Sequence, residues 1–241
     1  MILTRSIAVA WLVFATGLLV GCDDAPGRRA IDAENVAPDK ILDFNVLYHT
    51  NCAGCHGADG RGGPALALAS PIYLAIADAG VLRRVTADGI AGTPMPAFAR
   101  GSGGMLTDQQ IDAIVNGIRT RWANASAVAG IDLPPYSDSL PGDARRGGAV
   151  FATYCASCHG DSGRGTPGGS SIVDGSYLAL VSDQGLRTTV IAGRPDLGAP
   201  DWRSNVPGKP MAFQDISDVV AWLSARRSFS EGGPLLPGQP Y

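Results

Sequence analysis

The sequence predicts an all-α chain of two tandem modules, and three observations carry that expectation. An internal repeat lays Leu47–Gly57 over Val150–Gly160, with Cys52, Cys55, His56 and Gly57 matching Cys155, Cys158, His159 and Gly160. Each half closes on an amphipathic helix pattern: Ile111, Ile114, Val115 and Ile118 fall at i, i+3, i+4, i+7, and so do Ile216, Val219, Val220 and Leu223. A shorter amphipathic stretch precedes each Cys-x-x-Cys-His motif, at 41–48 and at 144–151. Length permits this division, because 241 residues suffice for two small domains, and a 45% apolar composition is too high for a disordered chain.

Taken in order, the chain opens on a segment that does not belong to the fold. Arg5 is the sole charge before the uncharged run 7–20. That run has the length of an export-signal core and falls short of the ~20 residues that span a bilayer. It ends Leu19-Val20-Gly21-Cys22, which resembles the lipobox of bacterial lipoproteins. The resemblance implies a signal peptide over 1–21, an acylated Cys22, and a polar membrane tether over 22–40; an ordinary cleaved signal followed by a free thiol is the alternative. Asp23, directly after the cysteine, resembles a signal for retention on the inner membrane.

In the first module, 41–125, the entering helix leads into Cys52-Ala53-Gly54-Cys55-His56, then a glycine-rich loop with Gly60-Arg61-Gly62, then a short helix near Tyr73-Leu74-Ala75. The terminal helix starts at Thr107, where Gln110 three residues later completes a capping-box pattern. The second module, 141–229, repeats this order, with Gly163-Arg164-Gly165 and Tyr177-Leu178-Ala179 as counterparts, and Ile191-Ala192-Gly193 matches Ile90-Ala91-Gly92. Between the modules, 126–140 carries Pro134-Pro135 and no apolar period, so it reads as a linker. The tail 230–241 is rich in proline and glycine. Gly and Pro together supply about a fifth of the chain, so long loops are expected.

Cysteine usage fixes the chemistry. Besides Cys22 the chain has two pairs, Cys52 with Cys55 and Cys155 with Cys158, each followed at once by a histidine, and none is left over. Cys-x-x-Cys-His is the attachment signature of c-type haem: the thiols add to the two vinyl groups and the adjacent imidazole is held against the iron. A redox dithiol does not need the histidine, and a zinc site would need the two motifs to meet. Export agrees with haem, which is attached outside the cytoplasm. Helix, haem motif, glycine-rich loop, short helix, loop and terminal helix together resemble the class I cytochromes c over both modules. The resemblance implies two covalently bound haem c groups, each filling the centre of a module too small to bury a large core of its own.

The family supplies its sixth iron ligand, a methionine, from the loop before the terminal helix. Met95, between Pro94 and Pro96, stands there in the first module. A soft thioether favours the ferrous state and raises the potential. Met105 directly precedes the terminal helix and is expected to pack. In the second module Ala199-Pro200-Asp201-Trp202 aligns with Met95-Pro96-Ala97-Phe98, so an alanine holds the ligand's place. Met211 is the remaining sulfur, although it aligns with Leu106, a packing position. Either Met211 ligates the second iron, or that iron is five-coordinate or closed by water, Lys209 or a partner residue. His49 is the one histidine outside the motifs. It reads as an exposed helix residue or as an auxiliary ligand or proton group.

Charge excludes other functions. Nineteen basic against 22 acidic residues leave no electropositive footprint for nucleic acid. Each module is balanced and the chain has two lysines, Lys40 and Lys209, so steering by net charge is weak. An apolar haem edge or permanent residence in a larger assembly fits better. The chain therefore reads as a periplasmic, membrane-tethered dihaem electron carrier, not an enzyme by itself. Its expected place is as subunit or partner of a quinol-oxidising complex, a terminal oxidase or a dehydrogenase in a respiratory or photosynthetic chain. The alternative is a haem enzyme or gas-binding protein using an open sixth position at the second haem. Two-module peroxidases are disfavoured because their low-potential haem generally uses a further histidine.

Overall fold

The computed structural model describes residues 36–138 and 140–227. The expected signal peptide, Cys22, most of the tether and the C-terminal tail lie outside the described residues. Ten α-helices and four short 3₁₀ turns make up the regular structure there, and pairing is limited to isolated β-bridges. Pro38–Lys40 forms a 3₁₀ turn of its own, and the described residues from Ile41 onward belong to one compact unit. No described helix is long and apolar enough to cross a membrane.

The first module runs α1 (Phe44–Asn51), α2 (Ala53–His56), α3 (Pro71–Ile76), α4 (Ala79–Asp88) and α5 (Asp108–Trp122). The second repeats it as α6 (Ala144–Tyr154), α7 (Ala156–His159), α8 (Gly175–Leu180), α9 (Asp183–Ala192) and α10 (Phe213–Ser224). Where one short helix is expected between motif and terminal helix there are two, because each of them has its own start signal. Ser70 and Asp78 accept the N–H groups of Tyr73 and Val81, and Asp174 and Ser182 do the same for Tyr177 and Gly185. Asp43 and Asp143 cap the entering helices. The capping box at α5 is present: Gln110 N–H donates to Thr107 Oγ1 (3.2 Å) and Thr107 N–H to Gln110 Oε1 (3.0 Å).

In each module the entering and terminal helices cross, burying the predicted apolar stripes of α5 and α10. The two crossings exchange bulk. Phe44 on α1 lies where Gly117 of α5 has no side chain, and a Cβ there would stand 2.0 Å from the ring. In the second module the small residue is on the other helix: Gly147 of α6 faces Trp222 of α10, and its Cβ would stand 2.0 Å from the carbonyl oxygen of Asp218. Trp222 in turn stacks on Phe151 at 4.2 Å. Since a backbone carbonyl cannot yield like a side chain, Gly147→Ala is expected to cost about 3 kcal/mol in thermal or denaturant unfolding. A loss below about 0.5 kcal/mol would show that the helices separate freely.

The 126–140 stretch is less of a free linker than its prolines imply. Val128, Ile131, Leu133 and Tyr136 pack on the core and Pro134 is fully buried. Arg187 of α9, 3% exposed, clasps this strap: its guanidinium donates to Pro135 O (3.0 Å) and Tyr136 O (3.2 Å) and pairs with Asp138 (3.3 Å). Helix α3 of the first module packs against both the Ala125–Val128 turn and α9 of the second. The modules therefore form one body, and the strap lies along its surface, anchored by the buried Pro134 and the partly buried Val128, Ile131, Leu133 and Tyr136.

Candidate functional site

Each motif sits at a helix break. α1 ends at Cys52, whose N–H still donates to Tyr48 O (2.8 Å), and the chain re-enters a helical turn that brings Cys55 and His56 round; Cys155, Cys158 and His159 follow α6 identically. The four motif cysteines are not joined in disulfides. Burial, with Cys55 close by, raises the Cys52 thiol to about 12, and burial with Cys158 close by raises Cys155 to about 11. Among the described residues no three His, Cys, Asp or Glu side chains converge as a metal site.

Both motif histidines are held in one orientation by a backbone carbonyl. His56 Nδ1 lies 2.8 Å from Leu66 O and His159 Nδ1 lies 2.7 Å from Ser170 O. A carbonyl only accepts, so Nδ1 carries the proton and the lone pair is on Nε2, facing away from the bond. Burial is the main cause holding the His56 pKa below its ordinary value; the Leu66 carbonyl opposes this and the Arg194 guanidinium adds to it. The neutral imidazole is the form that binds iron. Two thiols and one imidazole held by a backbone carbonyl are a donor set that fits a covalent haem, and both modules have it.

Met95 lies on the loop between α4 and α5 and is half-buried. The loop is tied at both ends: Ile90 N–H donates to Met95 O (3.0 Å) and Phe98 N–H to Ala87 O (3.1 Å). In the second module Arg194 N–H donates to Ala199 O (2.9 Å), and Ala199 occupies the register position of Met95. The equivalence also corrects the repeat. Gly89 and Gly193 cap α4 and α9 with the same positive φ, 68° and 65°, so Gly193 matches Gly89 and the likeness of Ile90-Ala91-Gly92 to Ile191-Ala192-Gly193 is accidental. Met211 N–H donates to Trp202 O (3.0 Å) just as Leu106 N–H donates to Phe98 O (2.8 Å), and both side chains are buried. Met105, expected to pack, is instead 82% exposed, because Leu106 takes the inward position beside it. His49 is exposed, with its ring edge-on to Tyr48.

Sequence reasoning passed over Arg194 and Asp196. Arg194 holds Asp196 in a bidentate pair (3.0 and 2.8 Å) and reaches Gly63 O (2.7 Å), while Asp196 accepts the Gly62 N–H (2.8 Å). Both side chains are about one-tenth exposed, and they bolt the distal loop of the second module to the loop behind the first motif. The signal available was an Arg-Pro-Asp in place of Ile90-Ala91-Gly92, charge inserted where the first module has none. The Arg194 guanidinium, followed by the Gly62 N–H, holds the Asp196 carboxyl at about 2 against 3.8. A depressed carboxyl contributes stability that is full above pH 4 and is lost as pH falls toward 2. Arg194→Ala should therefore cost about 1–2 kcal/mol at pH 7, with the gap to the parent closing between pH 4 and 2. A pH-independent gap in acid unfolding would contradict this.

The comparisons follow the same division. The cytochrome c family model matches residues 45–122, and the model for cytochrome c oxidase, cbb3-type, subunit III matches 142–223. The cytochrome bc1 complex cytochrome c subunit of Mycobacterium bovis is 27% identical over 94% of this chain and 78% of its own length. The cbb3-type cytochrome c oxidase subunit CcoP of an Azospirillum species is 30% identical over 49% of this chain and 38% of its own. The cbb3-type subunit FixPc of Rhizobium leguminosarum is 28% identical over 64% and 52%. With a haem-attachment motif inside each matched span, the chain is built of two cytochrome c domains, one in each half.

Proposed function

We propose that this chain is a periplasmic, lipid-anchored electron-transfer protein carrying two covalent haem c groups, and that it serves as subunit or immediate partner of a respiratory complex. The observation that carries the reading is the duplicated donor set, two thiols and a carbonyl-oriented imidazole in each domain. Relatives named as cytochrome c subunits of a bc1 complex and of cbb3 oxidases support the respiratory setting. Haem c, when bound, supplies a one-electron iron couple. Cys52 and Cys55 would hold the first group and Cys155 and Cys158 the second; His56 and His159 would each ligate an iron, and Met95 would supply a thioether ligand to the first.

The residues' own work is to orient and to shield. Leu66 O and Ser170 O keep the imidazoles in one tautomer, and the packed strap and the Arg194 bolt hold the two domains at a fixed separation. We read the isolated chain as an electron carrier, a reading supported by relatives named as cytochrome c subunits of respiratory complexes. Acylation of Cys22 would hold it at the membrane surface. Stopped-flow mixing with a soluble cytochrome tests the carrier: fast reversible exchange with negligible peroxide turnover is expected, and peroxide turnover faster than exchange would reverse the assignment. Cys22→Ser should release the protein from membranes; unchanged retention without a lipid would contradict the anchor.

A further inference from the structure

We propose that the second haem iron has an exchangeable sixth position, open to a small π-acceptor ligand such as carbon monoxide in the ferrous state. The proposal rests on the haem reading of His159 and deepens it. Three placements carry it. Ala199 stands at the register position of Met95, with Arg194 N–H on its carbonyl as Ile90 N–H is on that of Met95, so the loop that would offer a sulfur offers a methyl group. That loop is committed elsewhere, since Arg194 and Asp196 fasten it to Gly62 and Gly63 of the first domain, which keeps it from rearranging to present another side chain.

Met211 is the remaining sulfur of this domain, and its place is that of Leu106. It is 3% exposed and bonded through its N–H to Trp202 O, directly before α10, with its sulfur 4.0 Å from the Asn205 amide. Asn205 itself donates to Asp201 O (3.1 Å), and Asp201 pairs with Arg203 (2.7 Å), so the 201–211 loop is closed on itself. Lys209 lies with its ammonium over the Tyr154 ring at 5.6 Å, where it is already engaged. After the second motif the sequence holds no further histidine and no methionine besides Met211, the tail included. The loop that carries Met95 in the first domain thus serves in the second as an interdomain fastening.

The test uses the full chain matured with its haem, after mass spectrometry has established two haem additions. Titrating the reduced protein with carbon monoxide should saturate at one equivalent per chain and shift the spectrum of one haem of two. Ala199→Met should abolish that uptake and add a second near-infrared sulfur-to-iron band in the ferric protein. Met211→Leu should leave stoichiometry and spectra unchanged. No uptake in the parent overturns the proposal, and two sulfur-to-iron bands, one of them lost in Met211→Leu, would name Met211 as the ligand. Uptake at both haems also overturns it. A mass showing a single haem would instead strike the haem reading on which the proposal rests, and the proposal with it.

Discussion

A chain carrying Cys155→Ser together with Cys158→Ser is expected to lose the fold of its second domain, with an expected cost on the order of 5 kcal/mol, comparable to the whole stability of a small domain. Residues 142–223 make too short a span to bury a large core, and its helix crossing rests on Phe151, Ile216, Val219, Trp222 and Leu223. The short helices α8 and α9 have caps but little independent stability, since isolated helices of six and ten residues are marginal in water. An apolar porphyrin tied to the α6–α7 break gives them a surface to pack on. Circular dichroism should show loss of part of the helical signal and a lower, less cooperative transition, while mass spectrometry still finds the first haem. An unchanged melting curve at one haem per chain would mean that the protein core suffices without it.

The second large effect concerns potential and not stability. Met95→Ala should lower the potential of the first haem by on the order of 100 mV, because the thioether favours ferrous iron and axial ligands set haem potentials over a wide range. The same substitution should remove the near-infrared sulfur-to-iron band of the ferric protein. Met105→Ala is the control: that side chain is 82% exposed and points to no packed surface. If Met105→Ala alters the band and Met95→Ala does not, the sulfur has been misassigned.

Much of this architecture was legible in the sequence, for identifiable reasons. The terminal-helix stripes Ile111 to Ile118 and Ile216 to Leu223 are buried as their spacing dictates, and Thr107 with Gln110 forms the box its pattern announces. Periodicity and capping are local, so one sequence suffices to find them. The motif cysteines and histidines were visible because their chemistry demands fixed spacing. What stayed hidden depends on partners distant in sequence. The carbonyls of Leu66 and Ser170 leave no side-chain trace, and the Arg194 bolt spans more than a hundred residues. Pro134 and Pro135 suggested a free linker because proline marks irregular backbone, yet irregular backbone is held in place when a buried cation such as Arg187 binds its carbonyls. The false match at Ile191-Ala192-Gly193 is a chance likeness of short apolar-glycine strings out of register with the fold, and helix-cap geometry resolved it.

Spectroelectrochemical titration of the matured full chain tests the central claim most directly. The account predicts reversible uptake of two electrons per chain in two separate one-electron steps, the higher one belonging to the first domain and moving down in Met95→Ala. Uptake of a single electron per chain, or two haems that cannot be reduced and reoxidised reversibly, would contradict it.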